Sequence, residues 1–276
     1  MEFIDFSAET RSPRIEALFP GWVRGEKVAF YSPHDDDVAL GAGYLVQAVI
    51  DNGGIPVVLI FCSGDAGYSA REAKTTIVAT RKKEAVRAYR ELGVGKNNII
   101  FLNIPDFALM ASVGRSSSGK TCLFNKLVAF LRKKKISRIV SSSGHFEHWD
   151  HTAAFYLAAY TSPQAGDPIL ADLGKPFPIQ SYLAYSVWAD FEPSLGGKRG
   201  IRADKGILAG ERHEAAVRKA LTSFVSQGKI MLQTMAIERD ERRSASGFLE
   251  LYQDIKLRSP IDYKPYFARL KKCKKG

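Results

Sequence analysis

Four short apolar runs, with helix-like stretches between them, constrain this chain more than any other feature. Lys27–Ser32 (KVAFYS), Ile55–Cys62, residues 99–102 and residues 138–142 are rich in β-branched side chains and bounded by Gly, Pro or Asn. They read as buried parallel strands. Residues 42–52 stop at Gly53-Gly54, a helix-ending signal. Residues 71–92 set Ile77, Val78, Ala85, Ala88, Tyr89 and Leu92 at helical spacing and stop at Gly93. Leu123, Leu127, Phe130 and Leu131 form a further helical face, and Lys133, Lys134 and Lys135 suit the negative end of its dipole. A strand at 182–188 lies inside an irregular, Gly- and Pro-rich segment at about 161–210, and a last helix is expected at 211–224. Strand–helix alternation of this kind implies an α/β sheet with helices on both faces and a site at the carboxyl ends of the strands. No repeat, linker or composition break divides the chain, so residues 1–276 are expected to form a single domain ending in a basic tail.

Two polar clusters follow two of these strands directly. His34 opens the run His34-Asp35-Asp36-Asp37, and His145, His148 and His151 stand within GHFEHWDH. Three adjacent carboxylates raise one another's pKa unless a cation sits nearby. Imidazole and carboxylate are natural ligands for zinc, whose catalytic sites use three protein ligands and keep one position open. A leftover carboxylate could take a proton from water and a leftover histidine could stabilise the developing charge. Each cluster alone has a plainer reading. The acidic run suits a loop and helix N-cap, and a single histidine is more often a hydrogen-bonded structural one. Together, at two strand ends, they point to a metal-dependent hydrolase.

The segment SPHDDDVALGAGYL resembles the HPDDE…LGAGG signature of the PIG-L (LmbE-like) deacetylases, and HWDH resembles their HPDH motif. Arg81-Lys82-Lys83-Glu84-Ala85 with Leu92-Gly93-Val94, the stretch FLNIPD ending at Asp106, and Lys219-Ala220-Leu221 with Ser226-Gln227 are similar to further family segments in the same order. The resemblance implies a Rossmann-like fold with a mostly parallel sheet, and zinc-dependent removal of an N-acetyl group from N-acetylglucosamine-type sugars or conjugates. It implies His34, Asp37 and His151 as metal ligands and Asp36 as the base that activates water. It implies His148 as partner of the tetrahedral intermediate, Asp150 as the carboxylate orienting an imidazole, and Arg81 as a substrate contact. Iron or cobalt would suit the same ligands. The chain departs from the family at Asp35, where Pro is usual, at Val38, where an acid is usual, and at Phe146 and Phe224, where a Tyr or a His occurs. His145 has no role in the resemblance.

A rival motif lies at residues 114–121 (GRSSSGKT), which fits the P-loop pattern from Gly114 to Thr121. A true P-loop would use Lys120 on the phosphates and Thr121 on magnesium, and needs a buried strand directly before it. Residues 106–113 lack one. A nucleotide hydrolase therefore stands as the alternative reading, a flexible loop capping the next helix as the plainer one.

The net charge is +11. Part is local, in Lys133, Lys134 and Lys135 and in the lysines of the tail. Such runs are commonly solvated faces, and an anionic substrate or a membrane surface would also suit them. Nucleic acid is not expected, although a metal-containing binding protein using this basic surface is a third reading. The longest apolar run, Ile55–Cys62, is far short of a bilayer span. The acidic start is unlike a signal peptide, and three widely spaced cysteines read as reduced thiols. The expected location is the cytoplasm. Oligomeric state is invisible in the sequence.

Overall fold

The computed structural model describes residues 1–114, 122–145, 147–188, 191–192, 201–229, 231, 239–258 and 262–273. The described strands are β1 (Glu2–Asp5), β2 (Thr10–Ser12), β3 (Lys27–Ser32), β4 (Ile55–Cys62), β5 (Ile99–Ile104), β6 (Ile136–Ser142), β7 (Ser181–Tyr185), β8 (Phe191–Glu192), β9 (Ile201–Arg202), β10 (Lys205–Ala209), β11 (Arg243–Ser244) and β12 (Gly247–Ile255). Helices α1 (Asp37–Gly41) and α2 (Gly43–Asp51) link β3 to β4, α3 (Ile77–Glu91) links β4 to β5, and α4 (Leu123–Lys134) links β5 to β6. Helix α5 (Trp149–Gly166) links β6 to β7, and α6 (Glu211–Leu221) follows β10.

Ten strands form one sheet in the order β2-β1-β10-β12-β7-β6-β3-β4-β5, with β11 paired to β12. From β7 to β5 every pairing is parallel. This half has the doubly wound order of a Rossmann fold, with the first parallel strand, β3, at its centre. The chain moves outward to β4 and β5, then returns to the other side of β3 as β6 and β7, so the order reverses between β3 and β6. The other half is antiparallel: β12 against β7, β10 against β12, β1 against β10 and β2 against β1. The expected mostly parallel sheet thus describes one half of a mixed sheet.

Alternating side chains of the central strands feed two cores. Val28, Phe30, Val58 and Ile60 pack with α2, α3 and α6 on one face, while Ala29, Tyr31, Val57, Leu59 and Phe61 pack with α4 and α5 on the other. Both faces are covered, as near-continuous apolar parallel strands require. Two glycines bring α1 and α2 close: a Cβ on Gly41 would lie 2.7 Å from the Ser186 carbonyl oxygen, and one on Gly43 would lie 2.7 Å from Val217. Among the described residues no helix is long and apolar enough to cross a membrane.

Candidate metal centre

Both polar clusters emerge at the carboxyl ends of β3 and β6, on either side of the point where the strand order reverses. The His34 backbone N–H donates to Asp37 Oδ2 at 2.6 Å, which folds the HDDD run back on itself. His34 Nδ1 then lies 3.2 Å from the same oxygen. Asp36 occupies the N-cap position of α1, yet its side chain makes no capping hydrogen bond. It lines the pocket instead. The capping explanation of this run therefore does not account for Asp36.

The second cluster is built on the first turn of α5. His148 is its N-cap, with Nδ1 accepting from the Asp150 backbone N–H at 3.1 Å. His151, one turn on, points Nε2 at Asp37 Oδ1, 3.2 Å away, and holds Nδ1 2.8 Å from Glu147 Oε2. Asp150 takes the backbone N–H groups of Phe107 and Leu109 at 2.7 and 3.2 Å and lies 3.4 Å from His34 Nε2. His34 and His151 are thus each gripped by a carboxylate on one ring nitrogen while the other faces Asp37. Carboxylate partners of this kind fix the tautomer of a metal-binding histidine.

The donor set fits a divalent cation. His151 Nε2 is fully buried with no hydrogen bond. One ring nitrogen each from His34, His148 and His151 lies within 4.8 Å of the other two. The electrostatics agree. Burial pushes the Asp36 carboxyl up, helped by Asp35 and Asp37 and opposed by Arg81, to about 7. Burial alone would raise Asp37 and lower His151. Their mutual attraction overturns both, holding Asp37 well below the carboxylate range and His151 at about 9. His34 is likewise held well above its ordinary value, against its burial, by Asp37 and Asp150. His148 goes the other way, lowered by burial and by the two other imidazoles.

The structure brings all seven sequence-identified residues to one place. Six of them, His34, Asp36, Asp37, Arg81, His148 and His151, line a pocket of about 200 Å³ with Asp106, Phe107, Trp188 and Gln227. Asp150 lies beneath, fully buried. Arg81 comes from the buried stripe of α3 and is engaged by Asp35, through Nε at 2.8 Å and through Nη2, with Asp36 Oδ2 at 3.7 Å. Asp35, one of the departures from the family pattern, is therefore what holds this guanidinium. Gly64 and Gly67 make room for it, since a Cβ at either would meet the Arg81 side chain within 2.8 Å. Ala66, Gly67 and Gln227 are shared with a neighbouring cleft of about 540 Å³ lined by Tyr68, Ser69 and Val225.

Glu147 is the member that the sequence reading did not single out. Its side chain is fully buried, accepting from Ser143, Ser186 and the Val187 backbone N–H. His145 is exposed, and Phe224 is a core residue. Phe146 and residues 115–121 of the P-loop-like run lie outside the described residues. The described flank before that run is a 3₁₀ turn, Leu109–Ser112, where a P-loop needs a strand.

Residues 29–161 match the family described as PIG-L: GlcNAc-PI de-N-acetylase. The matched stretch begins in β3 and ends within α5, so it contains both clusters. Its fold is shared by N,N'-diacetylchitobiose deacetylase from Pyrococcus horikoshii, at 18% identity and a TM-score of 0.65, over 83% of this chain and 84% of that one. GalB, the 4-carboxy-2-hydroxymuconate hydratase from Pseudomonas putida KT2440, is similar at 16% identity and a TM-score of 0.63, over 86% and 99%. The A40926 pseudoaglycone deacetylase Dbv21 is similar at 14% identity and a TM-score of 0.59, over 86% and 100%. No curated protein matches the sequence. The matched segment thus sits within a sheet whose antiparallel strands, apart from β1 and β2, are supplied by residues after position 161.

Proposed function

We propose that the protein is a zinc-dependent hydrolase that removes the acetyl group from an N-acetylglucosamine-type sugar or conjugate. The observation that carries this is the convergence of His34 and His151 on Asp37, with Asp36 beside them, at the strand ends of a PIG-L domain. His34, Asp37 and His151 hold the ion. When bound, the ion polarises the amide carbonyl and makes water a nucleophile near neutral pH.

The chain's own groups do the rest. Asp36 takes the proton of the attacking water, and the push that burial gives its carboxyl suits a base working near neutrality. His148 accepts a backbone N–H on Nδ1, which leaves Nε2 as the donor of its neutral ring. A neutral imidazole donor suits the carbonyl oxygen as negative charge develops on it. Asp150 fixes His34, and Glu147 fixes His151. Arg81 offers its guanidinium edge to polar groups of the substrate along the pocket wall. The neighbouring cleft accommodates the remainder of a conjugate.

The likeness to GalB favours a second reading, a hydratase, because one fold hosts both reactions. The family match over both clusters favours amide hydrolysis here. Metal content by mass spectrometry on dialysed protein, wild type beside His151→Ala, tests the centre. About one zinc per chain, lost in the variant, is expected. Amine release from N-acetylated sugars by the zinc-loaded protein then tests the reaction. Absence of metal from both proteins would overturn the reading.

A further inference from the structure

Phe107 stands directly after Asp106 at the mouth of the pocket, and its backbone is strained. Its φ is +64°, in the left-handed region that a bulky side chain rarely adopts. The strain is imposed from both sides. The Phe107 N–H is drawn to Asp150 Oδ2 at 2.7 Å and the Leu109 N–H to Asp150 Oδ1 at 3.2 Å. On the other side the Asp106 N–H donates to Asp65 Oδ1 at 2.8 Å, while the Asp106 carboxylate takes the N–H groups of Gly64 and Ala66. Every one of these bonds is made by the backbone or by a neighbouring side chain. A glycine would make them all without strain.

The ring gains little from the fold in return. Phe107 is 61% exposed, whereas the aromatic residues of the two cores are buried. Among the described residues its one ring contact is with His148, at 4.8 Å between centroids and tilted by 43°. It lines the pocket with Asp36, Arg81 and the buried histidines, and a second exposed aromatic, Trp188, lines the same pocket. A strained residue whose side chain is mostly exposed, and which stands beside the reacting groups, is a candidate for a functional role.

We propose that Phe107 is a substrate-facing wall of the site, packing against the apolar C–H face of the pyranose ring whose acetyl group is removed. The inference rests on the deacetylase reading and adds to it the part of the substrate that this chain recognises. A pyranose has one face lined by C–H groups and hydroxyls around its edge. A flat aromatic ring matches the former, and Arg81 and the histidines match the latter. Packing against His148 places the wall beside the residue that faces the carbonyl oxygen, so the sugar is held while its amide is attacked. The Asp150 carboxylate that fixes His34 also fixes this wall.

The test compares zinc-loaded wild type with F107G and F107W. Relief of the left-handed strain raises the Tm of F107G, with metal content unchanged. Its KM for N,N'-diacetylchitobiose rises about tenfold, the order expected for one lost aromatic contact, while kcat stays within about twofold. F107W restores KM without the gain in Tm. Isothermal titration with N-acetylglucosamine separates this proposal from the functional reading on which it rests. Sugar bound by wild type and F107W but not by F107G sustains the wall even where no amine is released. Sugar bound equally by all three, or a lower Tm for F107G, overturns the wall and leaves the deacetylase reading in place. Sugar bound by none overturns the deacetylase reading and the wall with it.

Discussion

Asp36, Asp37 and Asp150 are one chemical group in three surroundings, and their differences suit them to different work. Asp37, between two imidazoles, stays ionised and suits a cation. Asp150 would be raised by burial, but His34 and two backbone amides outweigh that and keep it charged. Asp36 has only partial compensation from Arg81 and is pushed up to about 7. Asp36→Asn is therefore expected to retain zinc and to lose about 10²–10⁴ in kcat, the range for removal of a general base. A variant turning over near the wild-type rate would show that the base is another group. Glu147→Gln should weaken zinc affinity about 10–100-fold, read by competition with a chelator, because His151 loses the carboxylate that orients it. The two clusters were legible as candidates because they stand together at two strand ends, and the family resemblance singled out Asp36 and the ligand set within them. Glu147 was not. It sits before the first turn of α5, and its partners Ser186 and Val187 arrive from about 40 residues away.

The parallel elements were largely readable. Strands β3 and β4 have the bounds expected, since long β-branched runs buried on both faces have no competing period. The expected strand at 182–188 stops at Tyr185 because Ser186 and Val187 turn to Glu147. Helix α5 was missed for a physical reason. Its buried stripe is made of small residues, Ala153, Ala154, Ala158, Thr161, Ser162 and Ala165, while Trp149, Tyr156 and Tyr160 are exposed, so the apolar contrast between its faces is blurred. The end of α5 depends on Arg132 of α4, a buried guanidinium that donates to the backbone carbonyls of Gln164, Ala165, Asp167, Ile169, Leu170 and Gly174. Arg132→Met leaves several of these carbonyls without a donor. It should cost about 3 kcal/mol in denaturant unfolding, with metal content unchanged in the folded protein. Glu26, just before β3, joins that strand to β6 by taking hydrogen bonds from Arg138 and Ser137. Burial raises its pKa, and these bonds outweigh burial and leave it depressed. The stability they contribute is present above the unfolded carboxylate value, about 4.3, and is lost as pH falls through the lower folded one. The Tm difference between wild type and Glu26→Gln should accordingly shrink from pH 6 towards pH 3. A constant difference would assign the effect of Glu26 to packing alone.

At the scale of the whole molecule, the site stands where the strand order reverses, and each of its two clusters is one loop long. This is why most of the parallel half of the sheet and most of the site could be read from residues 27–161, nearly the stretch of 29–161 that the family match covers. The antiparallel half could not. Strand β12 is half-buried, alternating along its length, and β10 lies in a stretch whose Gly and Pro content reads as irregular. Neither announces its partner, because β1 pairs with β10 across about 200 positions of sequence, Ile4 opposite Gly206. That separation has a consequence for synthesis. When β1 leaves the ribosome its one available neighbour is β2, and an isolated two-strand ribbon is marginal in water. The parallel half, with both polar clusters, lies within residues 27–185, whereas the first dozen residues pair with Lys205–Ala209. Strands β1 and β2 are therefore expected to join the sheet only after β10 has been made.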